Sequence, residues 1–351
     1  MKILIITDTW HPQINGVVNT LEATIQELRC LGHQVKIIAP DDNSPYIIHP
    51  PYCPEVRLEF FGTSRIAPLF HDFSPDIVHI ATEGPLGWAA RRLCLKRKQA
   101  FTTAYHTRFP EFLAARAPRL LSRPISRTTY SVLRRFHAAA NTVMVTTKSM
   151  QRELTSQKFN HLALWSRGVD TDLFQPYGKT LAAYAHLPRP ILLYVGRIAA
   201  EKNLPAFLDL KTTGSKVVIG TGPDLDALRE KYPRSHFLGS LEGETLARHY
   251  AAADLFVFPS TTDTFGLVLL EACAAGLRIA ALPALGSSEI FSSPESRAFT
   301  VLAPDLQSAV DQALLLPDDP EIPRAFASKY SWKSCTQQFF ALAAKHTNTN
   351  A

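Results

Sequence analysis

Residues 191–196 read ILLYVG, a short run of apolar side chains that ends in a glycine. The run lacks the in-and-out alternation of a strand with one solvent-facing side, so it predicts a strand buried on both faces of a parallel sheet. Runs of the same kind follow at residues 216–220, 255–259, 278–282 and 299–303. An earlier series lies at residues 2–6, 35–39, 76–81, 100–105, 142–146 and 162–166. Two such series predict two α/β domains, each built on a doubly wound parallel sheet.

The segments between these runs predict helices and a domain boundary. Residues 18–31 form a helical stretch closed by Gly32, and Pro85 suits the first position of another helix. Glycine and proline interrupt the periodicity over residues 167–179. We therefore expect an N-terminal domain over 1–170, a C-terminal domain over 180–325, and a C-terminal helix over 326–347 that can pack back on the N-terminal domain. Ligands of such folds bind at the carboxyl ends of the strands, here between the two domains.

The composition is that of an ordinary globular chain. Of 351 residues, 46% are apolar and 19% are charged, which excludes disorder of the whole chain. The N-terminus predicts a first strand and not a signal peptide, and the apolar stretch 265–285 contains Glu271 and Arg278, so no transmembrane helix is expected. The cysteines are odd in number and lack C-x-x-C spacing, which favours a reducing compartment over a disulfide framework or zinc ribbon. They are Cys30, Cys53, Cys94, Cys273 and Cys335.

Positive charge is concentrated in one segment. The net charge is +6, and residues 91–137 hold twelve Arg and Lys against Glu111. Basic and apolar residues mixed in helical stretches fit the surface of an anionic bilayer. The alternative is a solvated helical face whose apolar residues belong to the core. No RNA-binding motif or zinc finger supports nucleic-acid binding, so no nucleic-acid partner is expected.

The first motif with chemical content is DTFGLVLLEA at residues 263–272, directly after the strand predicted at 255–259. A helix that begins after Gly266 leaves backbone N–H groups that suit a phosphate. Glu271 then lies in its second turn among apolar residues, where the two hydroxyls of a ribose would satisfy the carboxylate. Asp263 can accept hydrogen bonds from sugar hydroxyls. The alternative is that Asp263 caps the helix and Glu271 pairs with a distant side chain.

A second motif, GRIAAEKN at residues 196–203, follows the strand at 191–196. Arg197 and Lys202 leave one strand-end loop, and two converging cations match a diphosphate. The alternative is a surface turn with an ion pair centred on Glu201.

Glycines follow two further strands. Gly16, in the sequence NGV, can bring backbone N–H groups close to an anion. Gly220 and Gly222 could let a nucleotide base approach closely. Neither site has the full G-x-G-x-x-G pattern, which disfavours a dinucleotide-dependent dehydrogenase.

Two other features have competing interpretations. His106 ends the strand at 100–105 and can face the space between the domains, or it can be a core histidine with a backbone partner. Asp224 and Asp226 form a D-x-D, but they stand at a predicted helix start, where acidic residues are routine. We therefore expect no metal site.

Together these motifs resemble the retaining glycosyltransferases of family 4, which have the GT-B fold of two Rossmann-like domains facing across a cleft. The resemblance covers essentially the whole chain. Its most specific element is the pair of acids Asp263 and Glu271 around F-G-x-x-x-x-E-A, with A-x-G at 274–276. The G-R…E-K loop at 196–202 and the G-V-D at 168–170 also match.

The resemblance implies roles for single residues. Arg197 and Lys202 would hold the donor diphosphate with Gly16 beneath it, Glu271 would hold the ribose, and Asp263 would face the transferred sugar. His106 corresponds to the family's cleft histidine beside the donor sugar and acceptor. The first acid of the family is usually Glu, so Asp263 leaves the identity of the sugar open. The remaining expected donor-site residues are Gly196, Gly220, Gly222, Thr264, Phe265, Gly266 and Leu267.

Within the family, TEGPLG at 82–87, YHTRFPE at 105–111 and WSRGVD at 165–170 resemble bacterial enzymes that glycosylate diacylglycerol. The resemblance implies transfer of a hexosyl unit from a nucleotide diphosphate sugar, with a UDP-sugar expected, to a membrane lipid, with retention and without a metal or other cofactor. Such a protein would be cytoplasmic and bound to the inner face of the membrane through residues 91–137. The alternative within the family is a GDP-mannose-dependent α-mannosyltransferase. Outside it stand a nucleotide-sugar epimerase and an inactive membrane-binding relative.

Overall fold

A computed structural model describes residues 1–13, 15–49, 57–60, 62–116 and 118–345. The chain divides into two compact units. The first unit contains Met1–Ser166 and the C-terminal segment from Trp332, and the second contains Arg167–Ser331. The first unit thus ends at Ser166, where the sequence suggested residue 170. Residues 326–331, expected to open the C-terminal helix, belong to the second unit.

The first unit has a six-stranded sheet of order β2-β1-β5-β6-β7-β8 in which every pair of neighbours is parallel. β1, β5, β6 and β7 are buried on both faces, and β3 and β4 form a separate antiparallel pair. The elements of this part of the chain are β1 (Lys2–Ile6), α1 (Gly16–Cys30), β2 (Gln34–Ile38), β3 (Ile47–Ile48), β4 (Leu58–Glu59), α2 (Thr63–Asp72), β5 (Ile77–Ile80), α3 (Pro85–Arg97), β6 (Thr102–Tyr105), α4 (Phe109–Arg116), α5 (Arg119–His137), β7 (Thr142–Val145), α6 (Lys148–Ser156) and β8 (Leu162–Leu164).

The second unit has a six-stranded parallel sheet of order β11-β10-β9-β12-β13-β14. Counted within the unit this is the strand order 3-2-1-4-5-6 of the Rossmann fold, whose order reverses between β9 and β12. Its elements are β9 (Ile191–Val195), α7 (Leu204–Leu208), β10 (Ser215–Ile219), α8 (Leu225–Lys231), β11 (His236–Phe237), α9 (Gly243–Ala252), β12 (Leu255–Phe258), α10 (Leu267–Ala274), β13 (Arg278–Ala281), α11 (Leu285–Ile290), β14 (Thr300–Leu302), α12 (Leu306–Leu314) and α13 (Glu321–Ala327).

The last helix, α14 (Trp332–Ala344), packs in the first unit against α1 and β5. Phe339 and Cys335 are buried in one core with residues of β1, and the rings of Phe339 and Trp165 lie 5.1 Å apart. Burial of this apolar face, and not helix propensity, holds α14 in place.

The fold predicted from the sequence is confirmed: both units are doubly wound parallel sheets covered by helices. Each of the eleven predicted strand runs contains a strand, and Pro85 begins α3. Gly32 follows α1 with a φ of +83°, the left-handed geometry that glycine adopts without strain. The strands β3, β4 and β11 were not predicted, because each has only two residues, which is too short for a recognisable pattern.

Within the described ranges no helix is long and apolar enough to cross a bilayer. The same residues contain no group of three His, Cys, Asp or Glu side chains placed to hold a metal ion. Four cysteines are free thiols, and Cys53 lies outside the described residues.

Candidate functional site

The two charged motifs meet at the carboxyl edge of the second unit's sheet. β9 and β12 are neighbours at the point where the strand order reverses, and the loops that follow them are hydrogen-bonded to each other. Thr262 Oγ1 donates to the backbone oxygen of Glu201 (3.0 Å), and Asn203 Nδ2 donates to that of Pro259 (3.2 Å). The loop with Arg197 and the loop with Asp263 therefore form one polar site within one unit.

Lys202 and Asp263 form an ion pair across this site, with Lys202 Nζ donating to Asp263 Oδ1. The other carboxylate oxygen, Oδ2, is buried and has no hydrogen-bond partner among the described residues. Gly266 is the N-cap of α10, and neither carboxylate oxygen of Asp263 accepts from a backbone N–H of that helix, so the alternative in which Asp263 is a helix cap is wrong. A buried acceptor without a donor is costly unless a ligand satisfies it.

Arg197 lies in the same loop and pairs with Glu201, with 3.6 Å between Nη1 and Oε1. The ion pair with Glu201 that the alternative interpretation expected is therefore present and involves Arg197. Lys202 pairs with Asp263 instead. The Arg197 side chain remains 31% exposed. The hydroxyl of Tyr194 donates to the backbone oxygen of Arg197 (2.8 Å) and fixes the start of the loop.

Glu271 lies in the second turn of α10 among apolar neighbours, as its spacing predicts. Tyr250 Oη donates to Glu271 Oε2 (2.8 Å), so the alternative of a distant side-chain partner is also correct. Burial raises the pKa of Glu271 to about 7, and the bond from Tyr250 opposes this rise. A carboxylate has about four acceptor positions, so the bond from Tyr250 leaves capacity for two further donors.

The glycines of this edge permit close packing of its loops. A Cβ on Gly220 would lie 1.9 Å from the carbonyl oxygen of Gly196, and one on Gly222 would lie 2.2 Å from that of Ile198. These contacts give both glycines a packing role, and the approach of a nucleotide base to them stays a prediction. Gly196 and Gly266 have φ angles of +152° and +92°, which favour glycine. The remaining predicted donor-site residues lie where α10 begins: Thr264, Phe265 and Leu267.

Two predicted site residues belong to the first unit. Gly16 is the first residue of α1, where the side chain of Asn15 accepts from the N–H groups of Val17 and Val18 (3.0 and 3.1 Å). His106 follows β6 and is buried, with its ring 5.8 Å from that of Trp165. The cations and acids described above all belong to the second unit.

The basic segment 91–137 is exposed in part. On α5, Leu120 is 93% exposed and Leu121 52%, while Tyr130 and Phe136 are buried. Arg108 is withdrawn into an ion pair with Glu153 (2.8 Å). The apolar residues are thus divided: the end of α5 contributes to the core, and its beginning presents leucines to solvent. Among the side chains of this segment that the structure describes, the exposed cations are Arg92, Lys96, Arg97, Lys98, Arg123, Arg127 and Arg135.

The motif analysis missed two tyrosines that support the site, Tyr194 and Tyr250. Tyr194 could have been noticed, because a tyrosine within a buried aliphatic strand needs a partner for its hydroxyl. Tyr250 lies on α9, 21 residues before Glu271 on α10, and no local sequence pattern connects the two.

Two Rossmann-like sheets with helices on both faces match the GT-B fold that the sequence predicts. Residues 14–173 match the family model of Glycosyltransferase Family 4, and residues 189–319 match that of Glycosyl transferases group 1. The chain belongs to glycosyltransferase family 4 and is an enzyme of the hexosyltransferase type.

Several relatives are similar over most of the chain. The sulfoquinovosyl transferase SQD2 of Arabidopsis thaliana is 27% identical over 92% of this chain and 69% of its own. A GDP-mannose-dependent alpha-mannosyltransferase of Mycobacterium tuberculosis is 28% identical, with coverage of 83% and 82%. The alpha-monoglucosyldiacylglycerol synthase of Streptococcus pneumoniae is 28% identical, with coverage of 91% and 79%.

Among solved structures, sucrose-phosphate synthase from Thermosynechococcus elongatus superposes with a TM-score of 0.75 at 21% identity, covering 97% of this chain and 98% of that one. At 21% sequence identity, this structural similarity establishes the fold alone.

Proposed function

We propose that this enzyme transfers a hexosyl unit from a nucleotide diphosphate sugar, a UDP-sugar, to a membrane lipid such as diacylglycerol, with retention at the anomeric carbon. The observation that carries the proposal is the meeting of Arg197, Lys202 and Asp263 at the strand-order reversal of the second unit. In doubly wound sheets this position is where nucleotides bind.

The diphosphate of the donor is the group that Arg197 and Lys202 suit. It leaves with the nucleotide, and two cations stabilise its developing charge by charge-assisted hydrogen bonds. The N-terminus of α10 adds a positive partial charge on the same edge. Each such preorganised donor contributes roughly 3–4 kcal/mol at most.

The sugar and ribose are assigned to the two acids. Asp263 Oδ2, buried and without a donor among the described residues, would accept from a hydroxyl of the transferred hexose. Glu271 would accept from the ribose diol. Retention is explained by departure and attack on one face of the sugar, through a short-lived oxocarbenium ion. A leaving phosphate oxygen then takes the proton of the acceptor, so the proposed reaction needs neither a metal nor a separate protein base.

The lipid acceptor is supported by the beginning of α5. Leu120 and Leu121 project into solvent beside Arg123 and Arg127, the combination that binds an anionic bilayer surface. Two relatives are named as synthases of alpha-monoglucosyldiacylglycerol. We place the enzyme at the inner face of the cell membrane, held through residues 91–137, with His106 of the same unit beside the acceptor.

A GDP-mannose-dependent α-mannosyltransferase is the second candidate, because a relative of equal identity bears that name. A thermal-shift panel of UDP, GDP and ADP separates the two. A nucleotide at 100 times its Kd stabilises the protein by about 2.7 kcal/mol. We expect the largest shift with UDP; a shift with GDP alone would select the mannosyltransferase.

Product analysis with the selected donor completes the test. Glycolipid that forms only when diacylglycerol is present supports the transferase, while a new sugar formed without acceptor indicates an epimerase. Nucleotide binding without turnover indicates an inactive relative. Activity should persist in excess EDTA; a loss restored by magnesium or manganese would reinstate the metal interpretation of Asp224 and Asp226.

A further inference from the structure

Tyr250 is a polar residue in the core of the second unit. It lies on α9, is fully buried, and its ring centroid is 5.6 Å from that of Phe174 and 5.6 Å from that of Phe256. Packing on both rings fixes the direction of the hydroxyl. Burial, and then the charge of Glu271, raise the pKa of Tyr250 well above its usual value of 10, so the hydroxyl stays protonated and donates.

The hydroxyl is directed at one oxygen of Glu271 (2.8 Å). The nearby arginine of α13, Arg324, is engaged elsewhere: its Nη1 donates to the carbonyl oxygens of Thr171, Phe174 and Ala274. The hydrogen bond that the described residues offer to the Glu271 side chain therefore comes from Tyr250. A glutamate has three rotatable side-chain bonds, and this contact selects one orientation of the carboxylate.

We propose that Tyr250 is a positioning residue that orients Glu271 for the ribose hydroxyls of the nucleotide. The inference rests on the proposed function, in which Glu271 holds the ribose. Removal of the hydroxyl leaves the ring and its packing in place but frees the Glu271 carboxylate to rotate. The entropic cost of ordering that carboxylate then falls on nucleotide binding and weakens it.

The test compares ligands that differ only in the ribose. Calorimetry measures the Kd of UDP and GDP and of their 2′,3′-dideoxy analogues, with the wild-type protein and with Tyr250→Phe. For the ribonucleotide that binds, we expect Tyr250→Phe to weaken binding about fivefold, the effect of one hydrogen bond. The dideoxy analogue should bind both proteins alike, so the ratio of the two affinities falls. A merely structural role would weaken both ligands equally and leave the ratio unchanged.

Tyr184→Phe is the matched control. Tyr184 is another buried tyrosine of the second unit, and its hydroxyl lies 2.9 Å from His249 Nδ1, a residue outside the proposed site. Tyr184→Phe should keep the wild-type ratio between the affinities for the ribonucleotide and its dideoxy analogue.

Glu271→Gln separates the two levels of the proposal. If the wild type binds neither ribonucleotide, or if Glu271→Gln retains full discrimination between ribose and dideoxyribose, the proposed function of the site is wrong. If Glu271→Gln loses discrimination while Tyr250→Phe retains it, the site is correct and the positioning role of Tyr250 is overturned.

Discussion

At the scale of single residues, the proposed role of Glu271 predicts that nucleotide binding depends on pH. Its pKa of about 7 means that near neutrality about half of the molecules carry a protonated carboxyl group, which accepts fewer hydrogen bonds. Binding through the ribose favours the ionised form. We expect the Kd of the nucleotide to fall about tenfold between pH 6 and pH 8, in proportion to the ionised fraction.

The measurement is titration calorimetry at several pH values, with Glu271→Gln as the reference. The variant retains only the pH dependence of the ligand's phosphate and of the other protein groups. A wild-type curve parallel to that of the variant would contradict the role of Glu271.

Lys202 supplies the second residue-scale prediction. Replacement by alanine removes a cation from the proposed leaving-group site and deprives Asp263 of its ion partner. Lys202→Ala should lower turnover at least tenfold, because one preorganised donor is lost, with an unchanged circular dichroism spectrum. Lys211→Ala, an exposed lysine of the same unit, is the control. Full turnover of pure Lys202→Ala would remove the diphosphate assignment.

At the scale of elements, the N-terminus of α3 is capped by a carboxylate from a distant loop. Asp8, just after β1, accepts from the N–H groups of Leu86 (2.8 Å) and Gly87 (3.2 Å). A Cβ on Gly84 would lie 2.4 Å from Asp8 Cγ, so glycine is required there. Because β1 and β5 adjoin where the strand order of the first sheet reverses, the chain's own carboxylate occupies this helix terminus.

The burial of Asp8 predicts a pH-dependent stability. Burial raises its pKa to about 6, whereas the value in the unfolded chain is near 3.8. The folded state therefore binds more protons between these values, and the stability contributed by this group rises as pH falls. From pH 7 to pH 5 we expect wild type to gain about 1 kcal/mol relative to Asp8→Asn.

Urea unfolding followed by tryptophan fluorescence measures this difference. All four tryptophans, Trp10, Trp88, Trp165 and Trp332, belong to the first unit, so the signal reports that unit. A difference between the two proteins that stays constant from pH 7 to pH 5 would show that Asp8 does not titrate in this range.

The elements differ in how far the sequence determines them. Strands such as β9 could be predicted because continuous burial leaves a continuous apolar run. The position of both charged motifs at the carboxyl ends of strands could be predicted for the same reason, but the ion pair between Lys202 and Asp263 was not predicted. The contact between Tyr250 and Glu271 could not be predicted, since it depends on how α9 and α10 pack. The packing role of Gly220 was also missed, because the neighbouring carbonyl belongs to a different loop.

At the scale of the whole molecule, the uneven charge predicts salt-dependent membrane binding. Leu120, Arg123 and Arg127 lie at helical spacing along one stripe of α5. The wild type should sediment with vesicles that contain anionic lipid and be released by salt. Reversal of both arginines to glutamate should weaken partitioning at least tenfold, since each basic residue contributes roughly 1 kcal/mol.

The control applies the same charge change to the second unit, with Lys231→Glu and Arg234→Glu, both exposed. Equal binding of the wild type to neutral and anionic vesicles, or an equal loss in the control, would contradict the electrostatic account.

The placement of α14 also determines how this protein can be dissected. The polypeptide leaves the first unit after Ser166 and re-enters it at Trp332, and the two passages are paired where Val169 N–H donates to the oxygen of Tyr330 (2.9 Å). Within the first unit, Cys335 Sγ donates to the backbone oxygen of Ser166 (3.1 Å). The two chain positions that flank the second unit, Ser166 and Trp332, are therefore close together. In topological terms, the second unit is an insertion within the sequence of the first unit. A deletion from the C-terminus would remove α14 and so destabilise the first unit. Deletion of the second unit, with a short linker from Ser166 to Trp332, would preserve the first unit.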